Sequence, residues 1–321
     1  MSGPNERLVC MIQSGEAALP LPARGQTRLR WQALSVAAAE DVALAKLLEG
    51  HTDALAIMSE LGAAQPPPAS VWGTWAAEPS FARLKLRRGA AGAELSGRKA
   101  WCSGSDVASH ALVTAWDEQN RQCLAAVPLN QPGVQVTTEG WHAVGMSGAA
   151  SGDVLFSSAS AVEIGKPDEY LNRPGFWQGG CGIAACWFGG ALPLAKAVAE
   201  LVARRGDPHS SAHLGAIHVA IRSTRALLLE AAKWIDDNPA ASAQRWALLT
   251  RASAEHTVGV VIERAGRALG AGPLCRDAAM ARRFADLPVF VRQSHAEHDL
   301  AALGGLVAGD DTQSADTRWR L

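Results

Sequence analysis

Three rhythms of apolar and polar residues divide the chain. Up to residue 70 the apolar positions recur at helical spacing. Thr27–Ala39 carries one such stripe, and Ala39–Leu61 carries another through Val42, Leu44, Leu47, Leu48, Ala54, Ala56, Ile57 and Leu61. Gly62 suits the position just after a helix, and Pro66-Pro67-Pro68 makes a stiff linker. From Val71 the period shortens to that of strands. Trp72–Ser80, Lys99–Cys102, His110–Trp116, Cys123–Pro128, Gly133–Thr138 and a closing strand from Val154 are predicted, with a polar turn at Ser96-Gly97 and an exit at Lys166-Pro167-Asp168.

Helical spacing returns after Pro174. The first long helix runs to about Arg205. The second has Asp207 as N-cap and Pro208 at its first position, with a stripe of Leu214, Ile217, Ile221, Leu228, Ala231 and Ile235 before Asn238-Pro239 stops it. A third is predicted over Ala240–Leu269, ended by Gly270-Ala271-Gly272-Pro273, and a last one over Ala285–Leu303. Long helices with short connections pack antiparallel. The expected fold is α+β: a short helical region at 1–70, a central antiparallel β-domain at 71–170, a C-terminal four-helix bundle at 171–306, and a disordered tail at 307–321.

Composition narrows the function classes. The 321 residues are 48% apolar with net charge −1 and no basic block, which excludes a nucleic-acid partner. The stretch Gly175–Ala195 is uncharged and long enough for a bilayer, but its glycines, Gln178, Pro193 and the charged continuation at Lys196 and Glu200 fit a buried bundle helix better. The six cysteines, 10, 102, 123, 181, 186 and 275, form no CxxC pair and no zinc spacing, so they read as reduced thiols of a cytoplasmic protein. MSGPNERLVC lacks the pattern of a signal peptide. The apolar, Gly-rich helices of the bundle predict a homodimer or homotetramer.

Two places carry candidate chemistry. In Glu94–Trp116, ELSGRKAWCSGSDVASHALVTAW, the indole of Trp101 is followed by Ser103 and Gly104. That sets a flat apolar face beside a hydroxyl and exposed backbone N–H groups, suited to a planar heterocycle; the alternative is a hairpin whose Trp fills a core. His295, Glu297, His298 and Asp299 form the densest ionisable cluster. It reads as a solvated helix face, as a catalytic base at His295, or as a His295–His298 metal pair, of which the metal is the least expected. His209, His213 and His218 read as surface or interface positions.

Leu95, Gly97, Lys99, Trp101, Ser103, Ser105 and Ala108, followed by Gly140–Gly148 and Ser151–Phe156, resemble two ordered patterns of the acyl-CoA dehydrogenase family. Glu78-Pro79, the Ala265–Gly272 run and Arg283–Asp286 are similar to further family signatures, so the resemblance covers Ala39 to Leu303. It implies an FAD-dependent oxidoreductase acting on an acyl thioester. Trp101 would lie against the flavin, Ser103 would hydrogen-bond it and Gly104 would line it. Arg204 and the turn at Gly270 and Gly272 would reach the FAD of a neighbouring subunit. The departures are as informative. Ala77 replaces a flavin-contacting threonine, the Gly-x-Gly-Ser-Asp loop is missing after Pro79, and the two family positions for the catalytic Glu fall on Ser294 and near Trp177-Gln178. His295 and Glu297 are the replacement candidates. FAD binding is therefore expected to be weak or lost. The alternatives are a cofactor-poor ligand-binding or assembly protein and a flavin monooxygenase of the same fold.

Overall fold

The structure is a computed structural model that describes residues 3–89 and 92–309. Three helices open it: α1 (Pro4–Ser14), α2 (Thr27–Glu40) and α3 (Val42–Glu60). The second helical stripe begins at Val42 rather than Ala39 because Asp41 stands between them as a cap. Its carboxylate accepts from the Ala43 and Leu44 N–H groups at 2.8 and 3.0 Å, worth about 1 kcal/mol. Gly62 takes a left-handed φ of 66°, ending α3 as expected.

Seven strands follow: β1 (Trp72–Trp75), β2 (Leu84–Gly89), β3 (Gly92–Lys99), β4 (His110–Trp116), β5 (Gln122–Pro128), β6 (Val134–Val136) and β7 (Val154–Ile164). Around the ring β4–β2–β3–β7–β5 each strand pairs with the next, and β5 pairs back with β4, so the sheet closes into a barrel; β1 and β6 extend it on β4 and β7. The sheet is mixed rather than antiparallel throughout: β1 runs parallel to β4, and β2 joins β4 in parallel at Lys85 and Trp116. Ser96-Gly97 is not a turn. It lies within β3, where the register against β7 shifts between Leu95 and Gly97. Gly97 has φ 125°, and a Cβ there would sit 2.6 Å from the Arg83 carbonyl oxygen, so glycine lets β2 approach. The alternating inward residues Leu84, Leu86, Leu95, Val113, Ala125 and Phe156 fill the barrel.

After the short α4 (Glu169–Asn172) come α5 (Pro174–Arg205), α6 (Pro208–Asp237), α7 (Gln244–Leu269), α8 (Ala271–Arg276), α9 (Ala278–Phe290) and α10 (Glu297–Ala308). Asp207 caps α6 through the Ser210 N–H at 2.8 Å, as its sequence predicts. Among the described residues one helix, α5, is long and apolar enough to cross a membrane, and most of its apolar window is buried against the rest of the chain. The expected four-helix bundle is instead three long helices, α5 to α7, followed by the shorter α8, α9 and α10. Gly270, with φ 67°, is the whole turn after α7, and Gly272 already lies in α8. The predicted last helix over Ala285–Leu303 is two: α9 ends in a 3₁₀ turn at Val291–Gln293, and Ala296 at φ 46° breaks the chain before α10. Residues 307 and 308 of the expected tail are helical; 310–321 lie outside the described residues.

The N-terminal helices share one core with the bundle, in which Trp31, Leu34 and Leu48 meet Trp187, Leu194 and Val258. Arg283 locks this junction. Its guanidinium donates to the carbonyls of Ala38, Ala39 and Glu40 at the end of α2 and to Gly190 of α5, at 2.8 to 3.1 Å. The three α2 carbonyls are ones a helix end leaves short of partners. A third cluster joins α3 to the outer barrel face, with Ala54, Ile57 and Met58 against Trp72, Leu112 and Leu124.

Candidate functional site

The strand expected over Lys99–Cys102 stops at Lys99, and the reason lies in the barrel. The Lys99 ammonium, only 1% exposed, donates to Glu78 at 2.6 Å and to the Thr114 hydroxyl and carbonyl at 2.7 and 2.9 Å. Burial pulls its pKa below the usual lysine range, opposed by the Glu78 carboxylate. Glu78 also accepts from the Thr114 hydroxyl and from Trp116 Nε1. The Glu and Lys of the two sequence patterns are thus one buried pair, tying the β1–β2 loop to β3 and β4.

Beyond Lys99 the chain turns sharply. Trp101 has φ 57°, a strained conformation for a bulky residue, and its indole is 44% exposed with the Phe81 ring edge-on to it. The loop is held from within. The N–H groups of Cys102 and Gly104 donate to Gly152 and Ala149, and Trp75 Nε1 donates to the Ser103 carbonyl at 3.0 Å. Gly104, at φ 73°, packs against α3, where a Cβ would meet Leu47 at 2.8 Å. On the same helix the Gly50 carbonyl accepts from the Thr74 hydroxyl, and His51 Nδ1 accepts from the Trp72 N–H at 3.2 Å. Accepting through Nδ1 requires a neutral ring, and burial pulls the His51 pKa down to about 4. So α3 clamps β1, and β1 clamps the Ser103 loop.

Two features of this loop fit a flavin. Trp101 offers an exposed aromatic face. Ser103 and Ser151 share one hydrogen bond at 2.9 Å, and two hydroxyls sharing one bond leave one proton free. Ser151 is buried and Ser103 is the more open of the two, so the free proton belongs at Ser103, where a ring nitrogen or carbonyl could accept it. The inner side of the loop offers no room: the void between Ser103, Gly104, Lys46 and Thr74 is about 10 Å³. That void is too small for a ring system, whereas the Trp101 indole is open to the outside. The N–H groups of Cys102, Ser103, Gly104 and Ser105 are already bonded, and the Ala77 side chain adds no donor, so a phosphate has little to hold it there.

The other candidates lie elsewhere. Arg204 is in the last turn of α5, 14 residues beyond Gly190, or about 21 Å along the helix. Gly270 and Gly272, at the end of α7, sit at that same end of the bundle, because α6 returns between two parallel helices. His295 precedes α10, so it does not share a helical face with His298. Both imidazoles are exposed, His295 reaching Asp299 at 3.3 Å, and Asp299 lies 3.8 Å from Arg251 of α7. Glu297 is exposed in the first turn of α10. No metal-binding group of three or more His, Cys, Asp or Glu side chains occurs among the described residues. Ser294 is buried, and its N–H donates to the Val291 carbonyl. Sequence reasoning missed His51, Ser151 and the buried row Lys46–Glu49 on α3, paired at 2.7 Å. The signal for the last was legible: charges at i and i+3 on the apolar face of a helix.

The sequence matches no protein-family description and no curated protein. Solved structures do match. Methanesulfinate monooxygenase MsuC from Pseudomonas fluorescens aligns with TM-score 0.78 at 19% identity, over 97% of this chain and 91% of that one. A nitrososynthase from Micromonospora carbonacea var. africana aligns at 0.80 and 17%, over 96% and 90%. Dibenzothiophene monooxygenase TdsC from Paenibacillus sp. A11-2, also solved with FMN and indole, aligns at 0.74 and 19%, over 94% of both chains. The chain therefore has the acyl-CoA dehydrogenase-like fold that these flavin enzymes share.

Proposed function

We propose that this protein is a flavin-dependent oxidoreductase of the monooxygenase kind, binding FMN on Trp101 and Ser103 and acting on a small heteroatom-bearing molecule. The observation that carries the reading is Trp101 itself. A half-exposed indole held at positive φ, beside a hydroxyl with a proton to give, is a strained arrangement that packing does not require. Monooxygenation is favoured over dehydrogenation of an acyl thioester because Ser294 and Trp177-Gln178 stand where a carboxylate base is needed to take an α-proton. On one copy of the chain FMN is the better fit than FAD, because the expected contacts to the larger cofactor, Arg204, Gly270 and Gly272, lie at the far end of the bundle; in an oligomer a neighbouring copy would have to bring them to it, which the FAD arm of the titration tests. The structures of TdsC and of KijD3 with FMN support the same choice.

When bound, the flavin would supply the redox chemistry. Trp101 would carry one ring face, Ser103 would donate to the ring with Ser151 fixing its hydroxyl, and the Lys99–Glu78 pair would hold the loop in place. Oligomerisation belongs to this reading: α10 has no buried residue and exposes Leu300 and Leu306, a surface suited to another copy. So does a cytoplasmic location, where the free thiols stay reduced. The test is fluorescence titration of apo-protein with FMN and with FAD, repeated on Trp101→Ala and Ser103→Ala. Loss of one aromatic stack should weaken FMN by about tenfold or more. Equal binding by wild type and both variants sinks the platform. Tight FAD with no FMN binding sinks the cofactor choice, and dye reduction with octanoyl-CoA restores the dehydrogenase.

A further inference from the structure

The turn between β1 and β2 carries a second aromatic beside the Trp101 loop. Phe81 stands at its tip, 69% exposed. Its ring meets the Trp101 indole with centroids 6.0 Å apart and planes at 78°, the geometry of an edge-to-face pair. The contact hides little: Phe81 stays open over most of its surface and Trp101 over nearly half. One apolar side chain in water needs no explanation. Here two rings touch each other, and neither belongs to the packed clusters of the barrel, the bundle or their junction.

Their exposure is built in, because both turns are braced. Before Phe81, the Glu78 carboxylate accepts from Lys99, Thr114 and Trp116. After it, Ala82 is buried, and its N–H donates to the Pro79 carbonyl at 3.0 Å. Arg83 lies over the Trp116 ring at 4.5 Å and donates to Asn120. Between Glu78 and Ala82 the exposed residues are Ser80 and Phe81. On the other side Trp101 follows soon after Lys99 and precedes Cys102, which is fully buried and whose N–H donates to the Gly152 carbonyl at 2.9 Å. The ion pair of Lys99 with Glu78, at 2.6 Å, therefore roots both turns at one buried point, with a ring projecting from each.

We infer that Phe81 is a second ring-contact residue of this site, and that Phe81 and Trp101 together make a two-walled aromatic corner. A flat ring system laid on one wall meets the other at its margin, so the pair fixes how the ring lies as well as holding it. The ligand class that fits is a planar aromatic heterocycle. A saturated ring of the same size is held off the indole by its out-of-plane hydrogens and loses the stacking contact. The inference rests on the reading of Trp101 as the flavin platform, and adds to it the residue that sets the ring's pose.

The probe is lumiflavin, the flavin ring system without its phosphate chain, followed by quenching of its fluorescence as the full chain is added. Wild type is compared with Phe81→Ala, Phe81→Leu, Phe81→Tyr and Trp101→Ala. Because Phe81 fills no core, its variants should melt within about 2 °C of wild type, which separates lost binding from lost folding. Phe81→Ala and Phe81→Leu should each weaken lumiflavin by about fivefold and Trp101→Ala by about tenfold or more, while Phe81→Tyr stays within about twofold of wild type. If Trp101→Ala loses binding and all three Phe81 variants bind like wild type, the corner is overturned and the platform stands. If leucine at 81 binds as well as phenylalanine, the side chain is an apolar contact and not a ring wall, which also overturns the corner. Absence of quenching with up to about 0.5 mM wild type overturns the platform, and the corner with it.

Discussion

Acid should unclamp α3 from β1, and His51 sets where. Its Nδ1 accepts from the Trp72 N–H, and burial holds its pKa at about 4 against an ordinary 6.5. Between those two values the unfolded chain binds a proton that the folded chain refuses, so stability is lost as pH falls through this window. The gap of 6.5 less about 4, at 1.36 kcal/mol per pH unit, amounts to about 3 kcal/mol at pH 4. His51→Gln keeps an acceptor for Trp72 and removes the titration. Guanidinium unfolding of both proteins at half-unit steps from pH 4 to 7 isolates the difference. The variant's curve should stay flatter by about 2 to 3 kcal/mol across the window, and most of the change should fall below pH 6. Parallel curves would refute the argument, because they would mean that His51 titrates alike in both states.

Lys99→Met leaves Glu78 against the barrel with its principal cation gone; urea unfolding should show a loss of about 3 kcal/mol, and adding Glu78→Gln should recover part of it. Gly145→Ala drives a Cβ into the Ala285 carbonyl, so the 140–150 turn must move off α9; a fall in melting temperature of several degrees is expected, whereas Gly215→Ala, with open space around it, should be neutral or stabilising. Of the six thiols, Cys10 and Cys275 are exposed and the other four buried. A colorimetric thiol reagent should therefore label two quickly in the native protein, and fast labelling of Cys181 or Cys186, whose burial pushes the thiol pKa up, would contradict the packing of α5.

Much of the fold was readable because it depends on local signals. Pro208 after Asp207 and Gly62 after the α3 stripe mark ends that need no tertiary knowledge. What sequence could not show is the long-range part. The parallel pairing of β1 with β4 depends on which strands the barrel brings together, and Ser96-Gly97 looks like a turn until β2 is seen crowding Gly97. The break before α10 was hidden because VRQSHAEHDL has good helical periodicity and nothing local announces Ala296 at positive φ. At the site, Trp101 and Ser103 stood out in sequence as an aromatic beside a hydroxyl, whereas Ser151 becomes a partner of that loop, and His51 of β1, only through folding. Glu78 and Lys99 were both visible as pattern residues, yet their pairing inside a barrel has no sequence signal.

The grip of Arg283 on the end of α2 has a consequence for how the chain is made. The two partners are 245 residues apart. At ordinary translation speeds of about 5–20 residues per second, Ala38 waits roughly 12–50 s for Arg283 to be synthesised. The barrel need not wait, since its ladders and core close entirely within residues 72–164. A ribosome-bound chain should thus carry a finished barrel with α3 on it, while Trp31 and Leu34 of α2 stay uncovered until Gly182 of α5 is made. That helix is the natural client of a chaperone at the tunnel exit. Damage to α9 would be felt at the opposite end of the chain, as a loosened end of α2, a segment made early and fastened last.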